Sequence, residues 1–487
     1  MAPEQLAIIS PHKHWTYLQA HRAVETIRND LKTRCSLKPD QRCAIIAGNS
    51  EVYVLTLIAL WREGITPCLL STRIPPQELE RWVQRLSCQF VLHEFGSNNP
   101  CAFRIPERNM NMGDINLNLE GAFAGYEIFI SPEQDATILL TSGSSGTPKA
   151  AVLTYGNHYF NALGSQDNLP FVPTDRWLLS LPLYHVSGLS LIFRVLLGGG
   201  SLVIPASHND FIKALQHDQV THVSLVTTQF FRLLKDPQGL ELLKGLKAIL
   251  LGGSAIPRPL LTQAIQHGLA VYPTYGLTEM ASQVATGSAL REKPQKSADH
   301  SSQSVNFREG GRVLPFGEVR LSVEGEILVR GKTRFKGYWM EDRLIIPFDE
   351  GGWFATGDLG QWDNKGRLLV TGRKDNMFIS GGENIQPEII ERQLAAIDGI
   401  EEALVVPVAH WEYGQRPVAF IRFASSSFLT VEEIKRKLKA VLPSFMIPDR
   451  FYGWPESFVP AGAGMKPHRP DFIGLAESPE GRLVLLK

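Results

Sequence analysis

Strand-length apolar runs that alternate with helix-period segments are the feature that most limits what this chain can fold into. Cys43–Ala47 precedes Val52–Trp61, Ser201–Ile204 precedes Phe211–Gln216, and further runs follow at His222–Val226, Ala248–Leu251 and Leu269–Tyr272. Many are closed by Gly or Pro turns before the next helix, the pattern of an α/β chain built on largely parallel sheets. Leu290–Arg308 breaks the pattern: rich in Ser, Lys and Gln without apolar periodicity, it reads as a solvated loop. Beyond it the chain turns to Gly-punctuated hairpins, Val319–Val323 with Glu326–Arg330, and Gly352–Phe354 with Arg367–Thr371 around an Asn364-Lys365-Gly366 turn. After Gly372-Arg373-Lys374-Asp375 come a helix (Glu388–Leu394), strands at Ala403–Val408 and Pro417–Phe423, and a charged helix (Val431–Val441). With 487 residues, too many for one core, the chain is expected to divide into two domains. Residues 1–372 form a large part of parallel-type αβ layers plus a β-rich subdomain, and 373–487 a small α+β domain.

The 49 Lys and Arg balance the 49 Asp and Glu, which argues against broad binding to nucleic acid or an anionic membrane. Cys35, Cys43, Cys68, Cys88 and Cys101 include no close CxxC pair. They are therefore expected as reduced thiols, without a disulfide framework or a structural zinc site. The start of the chain carries Glu4 and no apolar core of signal-peptide length. Trp177–Pro205, the most apolar long region, is broken by Pro182, His185 and Arg194. It is not expected to span a bilayer as one helix. The expectation is a cytoplasmic protein without stable membrane insertion, with homo-oligomerisation left open.

The strongest local signal is Thr141-Ser142-Gly143-Ser144-Ser145-Gly146-Thr147-Pro148-Lys149, which follows the apolar run Ala136–Leu140. Small residues let backbone N–H groups approach phosphate oxygens, hydroxyls add donors, and Lys149 adds a cation. The spacing is not that of a Walker loop, since two residues separate Gly146 from Lys149 and Ala150 follows.

This loop resembles the nucleotide-gripping loop of the adenylate-forming enzymes: acyl- and aryl-CoA ligases, nonribosomal-peptide adenylation domains and luciferases. The resemblance continues in order through Leu181-Pro182-Leu183-Tyr184-His185, Leu251-Gly252-Gly253-Ser254-Ala255 and Tyr275-Gly276-Leu277-Thr278-Glu279. It ends with Ala355-Thr356-Gly357-Asp358, Gly372-Arg373-Lys374-Asp375, Gly381-Gly382-Glu383-Asn384-Ile385 and Lys466. It implies ATP and coenzyme A as substrates, Mg²⁺ as cofactor, and a mobile C-terminal lid. Each residue type suits that chemistry. Thr278 offers a hydroxyl to the α-phosphate, and Glu279 a carboxylate to Mg²⁺. Tyr275 can lie against adenine, Gly252, Gly253 and Ser254 let backbone approach the base, and Asp358 suits ribose hydroxyls with Arg373 beside it. By resemblance Asp375 is the hinge, and Gly381 and Gly382 face the tunnel of the pantetheine arm. Lys466, with Gly464 two residues before it and Arg469 three after, is the lysine that reaches carboxylate and α-phosphate. His185 is expected to line the acyl pocket rather than act as a base, because a carboxylate is already the nucleophile at neutral pH.

The pattern is most similar to one branch, the 2-succinylbenzoate–CoA ligases of menaquinone and phylloquinone biosynthesis. Trp177–Gly188 (through His185 and Ser187), Arg194, Leu250–Pro257 and Phe378–Glu388 carry that resemblance. Arg194 interrupts an apolar run, Leu189–Leu197. Its head either snorkels to water or anchors an anion, and a substrate with a second, unreacted carboxylate would need such an anchor. The resemblance implies the second, with His185, Ser187 and Arg194 binding the acid. A ligase for another aryl or medium-chain acid, a carrier-protein-loading enzyme and a nucleotide-binding pseudoenzyme remain the alternatives.

Overall fold

The computed structural model describes residues 2–36, 38–94, 109–112, 131–141, 148–207, 210–254, 256, 258–290, 311–424, 429–455, 469–477 and 486. Most of Leu290–Arg308 lies outside this set.

Two large sheets carry the N-terminal part. Among the described residues the first has nine strands. Its parallel run goes from Val271–Leu277 through Ala248–Gly252, His222–Val226, Arg176–Leu178 and Ser201–Val203 to Leu6–Ile9. Antiparallel strands close it at both ends, His14–Thr16 on one side and Ser282–Thr286 with Arg312–Val313 on the other. The second sheet pairs Asp135–Thr141, Thr66–Leu69, Arg42–Ile46 and Phe90–His93 in parallel. It then adds Lys149–Thr154 and Gly337–Met340 antiparallel. Every residue of Ala248–Gly252 is buried, as an interior parallel strand covered on both faces requires. The helices between strands start on local caps. Ser50 accepts from the Tyr53 amide to open Glu51–Arg62, and Thr154 forms a capping box with Asn157 to open Tyr155–Asn168.

A four-stranded antiparallel sheet follows, Gly317–Leu321, Glu326–Gly331, Phe354–Trp362 and Leu368–Arg373. The Asn364-Lys365-Gly366 turn joins its last two strands, with Trp362 opposite Leu368. A short 3₁₀ turn, Lys374–Asn376, leads to the last sheet. There Phe378–Ser380 and Glu383–Ile385 form a hairpin beside Gly414–Phe423 and Ile400–His410. Helices Pro387–Ala395 and Val431–Lys439 bury Ile390, Leu394, Ile434 and Leu438 in a core of its own. Cys35, Cys43, Cys68 and Cys88 are free thiols, and Cys101 lies outside the described residues. Among the described residues no helix is long and apolar enough to cross a membrane.

Candidate active site

The carboxyl end of Val271–Leu277 meets the four-stranded sheet, where Tyr275 touches Asp358. Ala248–Gly252 delivers Gly252 and Gly253, and Val271–Leu277 delivers Tyr275 and Gly276. Gly276 has a packing reason to be glycine, since a Cβ there would stand 2.1 Å from the Ser282 carbonyl oxygen. Thr278 and Glu279 follow on a 3₁₀ turn, after which Ala281 takes φ 57° and Ser282 φ 129°. Ser254 hydrogen-bonds Thr227 through their hydroxyls at 3.1 Å.

Tyr275 donates its hydroxyl to Asp358 Oδ2 at 2.6 Å, and Arg373 Nη1 donates to Asp358 Oδ1 at 3.0 Å. Burial, then the neighbouring Asp358, pushes the Tyr275 phenol well up, so it remains a donor. Asp358 and Arg373 lie opposite each other on paired strands. The second terminal nitrogen of Arg373 reaches Asp375 Oδ2 at 2.9 Å, joining the Asp358 side to the 3₁₀ turn. Burial works against that cation, but the two carboxylates outweigh it and hold its pKa above the ordinary value.

Glu279 is a half-buried carboxylate whose Oε1 accepts from the Tyr338 hydroxyl at 2.6 Å. Burial raises its pKa against the effect of that hydrogen bond and of Arg373. Lys149 Nζ lies 5.2 Å from the centroid of the Tyr338 ring, on the neighbouring strand. Tyr338 thus stands against both groups. Among the described residues no three His, Cys, Asp or Glu side chains could hold a metal by themselves. A single hard oxygen ligand at Glu279, shared with phosphate oxygens, fits Mg²⁺, which keeps most of its shell as water and phosphate.

The third group lines the helix Val186–Gly198. His185 precedes its first residue with its side chain bonded to no helix amide. His185 is exposed overall, and the partial desolvation of its ring, then Arg73, lowers its pKa. Ser187 offers its carbonyl to the Ser190 hydroxyl at 3.3 Å. Arg194 does not snorkel: it is 3% exposed, with its guanidinium 5.5 Å from the Trp177 ring centroid. Its Nη2 donates to Ser282 Oγ at 3.1 Å, while Nε has no partner among the described residues. Burial without a carboxylate drives its pKa down to about 9.

Thr141 closes the preceding strand, its hydroxyl 3.4 Å from the Lys149 carbonyl. Ser142, Gly143, Ser144, Ser145, Gly146 and Thr147 between them, and Lys466, lie outside the described residues. Gly381 and Gly382 occupy the turn of the Phe378–Ile385 hairpin with φ 57° and 87°, a conformation that favours glycine whatever binds beside it. Sequence reasoning missed Tyr338 and Ser282. Tyr338 sits 59 residues from Glu279, and its place in a Gly-Tyr-Trp run gives no hint of that contact. Ser282 directly follows the Thr278–Ala281 segment, and its backbone geometry leaves no mark in the sequence.

Two large mixed sheets with parallel centres, a four-stranded antiparallel sheet and a separate C-terminal α+β unit give an α/β architecture whose class the family models identify. Residues 1–339 match the family described as AMP-binding enzyme, and residues 389–458 match the AMP-binding enzyme C-terminal domain. The chain belongs to the AMP-binding enzyme family.

Within that family it is similar to 2-succinylbenzoate–CoA ligases. It is 38% identical to the Salmonella typhimurium ligase, over 78% of this chain and 76% of that protein. With a Bacillus cereus ligase it shares 33% over 92% of both. Among solved structures, o-succinylbenzoate CoA synthetase (MenE) from Bacillus subtilis in complex with the acyl-adenylate intermediate OSB-AMP superposes with a TM-score of 0.78. That match has 28% identity and covers 93% of this chain and 92% of the other. The same enzyme with ATP and magnesium ion matches with a TM-score of 0.79, 28% identity, and coverage of 93% and 94%.

Proposed function

We propose that this protein is an ATP- and Mg²⁺-dependent ligase that activates 2-succinylbenzoate as an acyl-adenylate and transfers it to coenzyme A. The products are 2-succinylbenzoyl-CoA, AMP and pyrophosphate. One observation carries the choice of acid: Arg194 is a buried cation with no carboxylate partner among the described residues, two turns into the helix that begins at Val186. 2-Succinylbenzoate carries two carboxylates. The succinyl one reacts, and the ring carboxylate neutralises Arg194. The ligases and synthetases that the chain resembles support the same reading.

In the first step a succinyl carboxylate oxygen attacks the α-phosphorus and pyrophosphate departs. The nucleophile is already ionised at pH 7, so no base is needed. Asp358 and Arg373 hold the ribose, Tyr275 and the Gly252-Gly253-Ser254 segment flank the base, and Ser142–Thr147 with Lys149 cradle the phosphates. Glu279 would hold Mg²⁺, which when bound neutralises charge on the phosphates. Thr278 and Lys466 donate to the α-phosphate and carboxylate oxygens. Residues 373–487 then rotate about Asp375, bringing Gly381 and Gly382 to the pantetheine arm. The CoA thiol attacks the acyl carbon, loses its proton to solvent, and AMP leaves. The setting is cytoplasmic menaquinone or phylloquinone biosynthesis, with the acid, ATP and coenzyme A as small-molecule partners and homo-oligomerisation left open. The test is acid-dependent exchange of pyrophosphate into ATP over a panel of acids. 2-Succinylbenzoate is expected to give the highest rate, whereas a monocarboxylate turning over faster would overturn the assignment, and no exchange with any acid would overturn the activity.

A further inference from the structure

Ser282 is the described side chain on which the Arg194 guanidinium rests, and it is held there against the preference of its own backbone. At φ 129°, directly after Ala281 at φ 57°, it occupies a region that glycine enters freely and other residues do not. It is buried, and its hydroxyl lies 3.1 Å from Arg194 Nη2 and 3.4 Å from Ser190 Oγ. The Ser190 hydroxyl also reaches the Ser187 carbonyl at 3.3 Å. The chain of contacts therefore runs from the start of the helix to the arginine through Ser282. A glycine here would relieve the backbone, yet a serine stands in its place; it adds a Cβ, which the backbone disfavours, and the hydroxyl that meets Arg194.

A neutral acceptor suits this position for an electrostatic reason. An Asp or Glu would also fix the guanidinium, but the ion pair would cancel the charge that a substrate carboxylate must meet. A serine oxygen takes a single N–H and leaves the cation unneutralised. With Nη2 engaged and Nε unpartnered among the described residues, the fork keeps an edge for a planar oxyanion. Trp177 borders the guanidinium on another side.

The geometry points to Ser282 as a specificity-determining positioning residue: its strained hydroxyl orients Arg194 so that the site selects acids carrying a second carboxylate. This rests on the reading of Arg194 as the anchor of the unreacted carboxylate. It adds a trade between backbone comfort and selectivity. Because Ser282 lies three residues beyond Glu279, the same strained segment joins the acid anchor to the metal-suited turn.

Two variants of the full-length enzyme separate hydroxyl from backbone. Ser282→Gly removes the hydroxyl and relieves the strain, and Ser282→Ala removes the hydroxyl and keeps the strain. Selectivity is the ratio of kcat/KM for 2-succinylbenzoate to that for 4-phenyl-4-oxobutanoate, the same skeleton without the ring carboxylate. Both variants are expected to lower this ratio about tenfold, the effect of one hydrogen bond to a charged group, with KM for ATP unchanged. Ser282→Gly should melt at or above the wild-type temperature, and Ser282→Ala at or below it. A preserved ratio in both variants would overturn the inference and leave the proposed function standing. A fall in melting temperature for Ser282→Gly, with KM for ATP rising in parallel, would reduce Ser282 to a structural residue. Wild-type enzyme that shows no preference between the two acids would overturn both.

Discussion

Replacing Arg194 with methionine keeps most of the side-chain length and removes a cation that the folded chain holds at a cost. Burial takes the guanidinium from the ordinary arginine range down to about 9. That depression corresponds to roughly 5 kcal/mol at 1.36 kcal/mol per tenfold change in ionisation. The folded pKa lies below the unfolded one, so between about 9 and the ordinary arginine range the unfolded chain binds a proton that the folded chain has released. Stability therefore rises with pH in that window, and below pH 9 the cost is present in full. The Ser282 hydrogen bond and the Trp177 ring return part of it. A well-packed methionine should then raise stability by about 1–4 kcal/mol at pH 7.5, taking the range for buried ion pairs replaced by apolar residues as the scale. Activity should move the other way. Losing a two-pronged charged contact to the ring carboxylate costs about 3–4 kcal/mol, or roughly 200- to 900-fold in kcat/KM for 2-succinylbenzoate. Urea denaturation and a coupled pyrophosphate assay give the two readouts. A variant that is less stable than wild type and still prefers the dicarboxylate would refute the reasoning, because Arg194 would then be a structural cation.

Tyr338→Phe removes the donor to Glu279 and keeps the ring beside Lys149; Mg·ATP affinity, measured calorimetrically without acid, should fall about tenfold for one charged hydrogen bond. Unchanged affinity would release Tyr338 from that role. Lys466→Ala should abolish pyrophosphate exchange while largely sparing thioester formation from supplied acyl-adenylate, and equal loss of both steps would remove Lys466 from the first.

The strands were legible because each carries its own signal. Ala248–Gly252 is apolar at every position since both faces are covered, and the Asn364-Lys365-Gly366 turn marks its hairpin directly. Boundaries moved where backbone pairing outran side-chain pattern. The run read as Leu269–Tyr272 extends as Val271–Leu277, because the polar and glycine residues Thr274 and Gly276 continue the ladder against Ser282–Thr286. At the site, residues inside ordered motifs could be named from sequence, as with Asp358 and Arg373, which prove to face each other across a strand pair. Tyr338 and Ser282 could not. Each matters through a contact made across a long stretch of chain, with Glu279 and Arg194 respectively, and neither residue type is unusual in its neighbourhood. Arg194 lay between these cases. An arginine in an apolar helix is visible in sequence, but whether its head reaches water depends on what covers the helix.

How the charges are held separates the site from the rest of the molecule. Away from it, opposite charges meet directly: Arg28 with Glu25 and Glu63, Arg469 with Glu391, Lys235 with Glu401. Inside it, neutral hydroxyls stand where counter-ions would otherwise be. Tyr338 holds Glu279 while lying against Lys149, and Ser282 holds Arg194. A direct Glu279–Lys149 pair would cancel the anion suited to Mg²⁺ and the cation suited to phosphate. A carboxylate on Arg194 would likewise cancel the anchor for the acid. Charges left without a counter-ion among the described residues are costly, and on the proposed reading that cost would be recovered when anionic substrates and their cation arrive together. The pair Asp358–Arg373 is the exception, and its geometry explains why. Arg373 also grips Asp375, so the ion pair reaches the proposed hinge, where a rigid link serves better than an open charge.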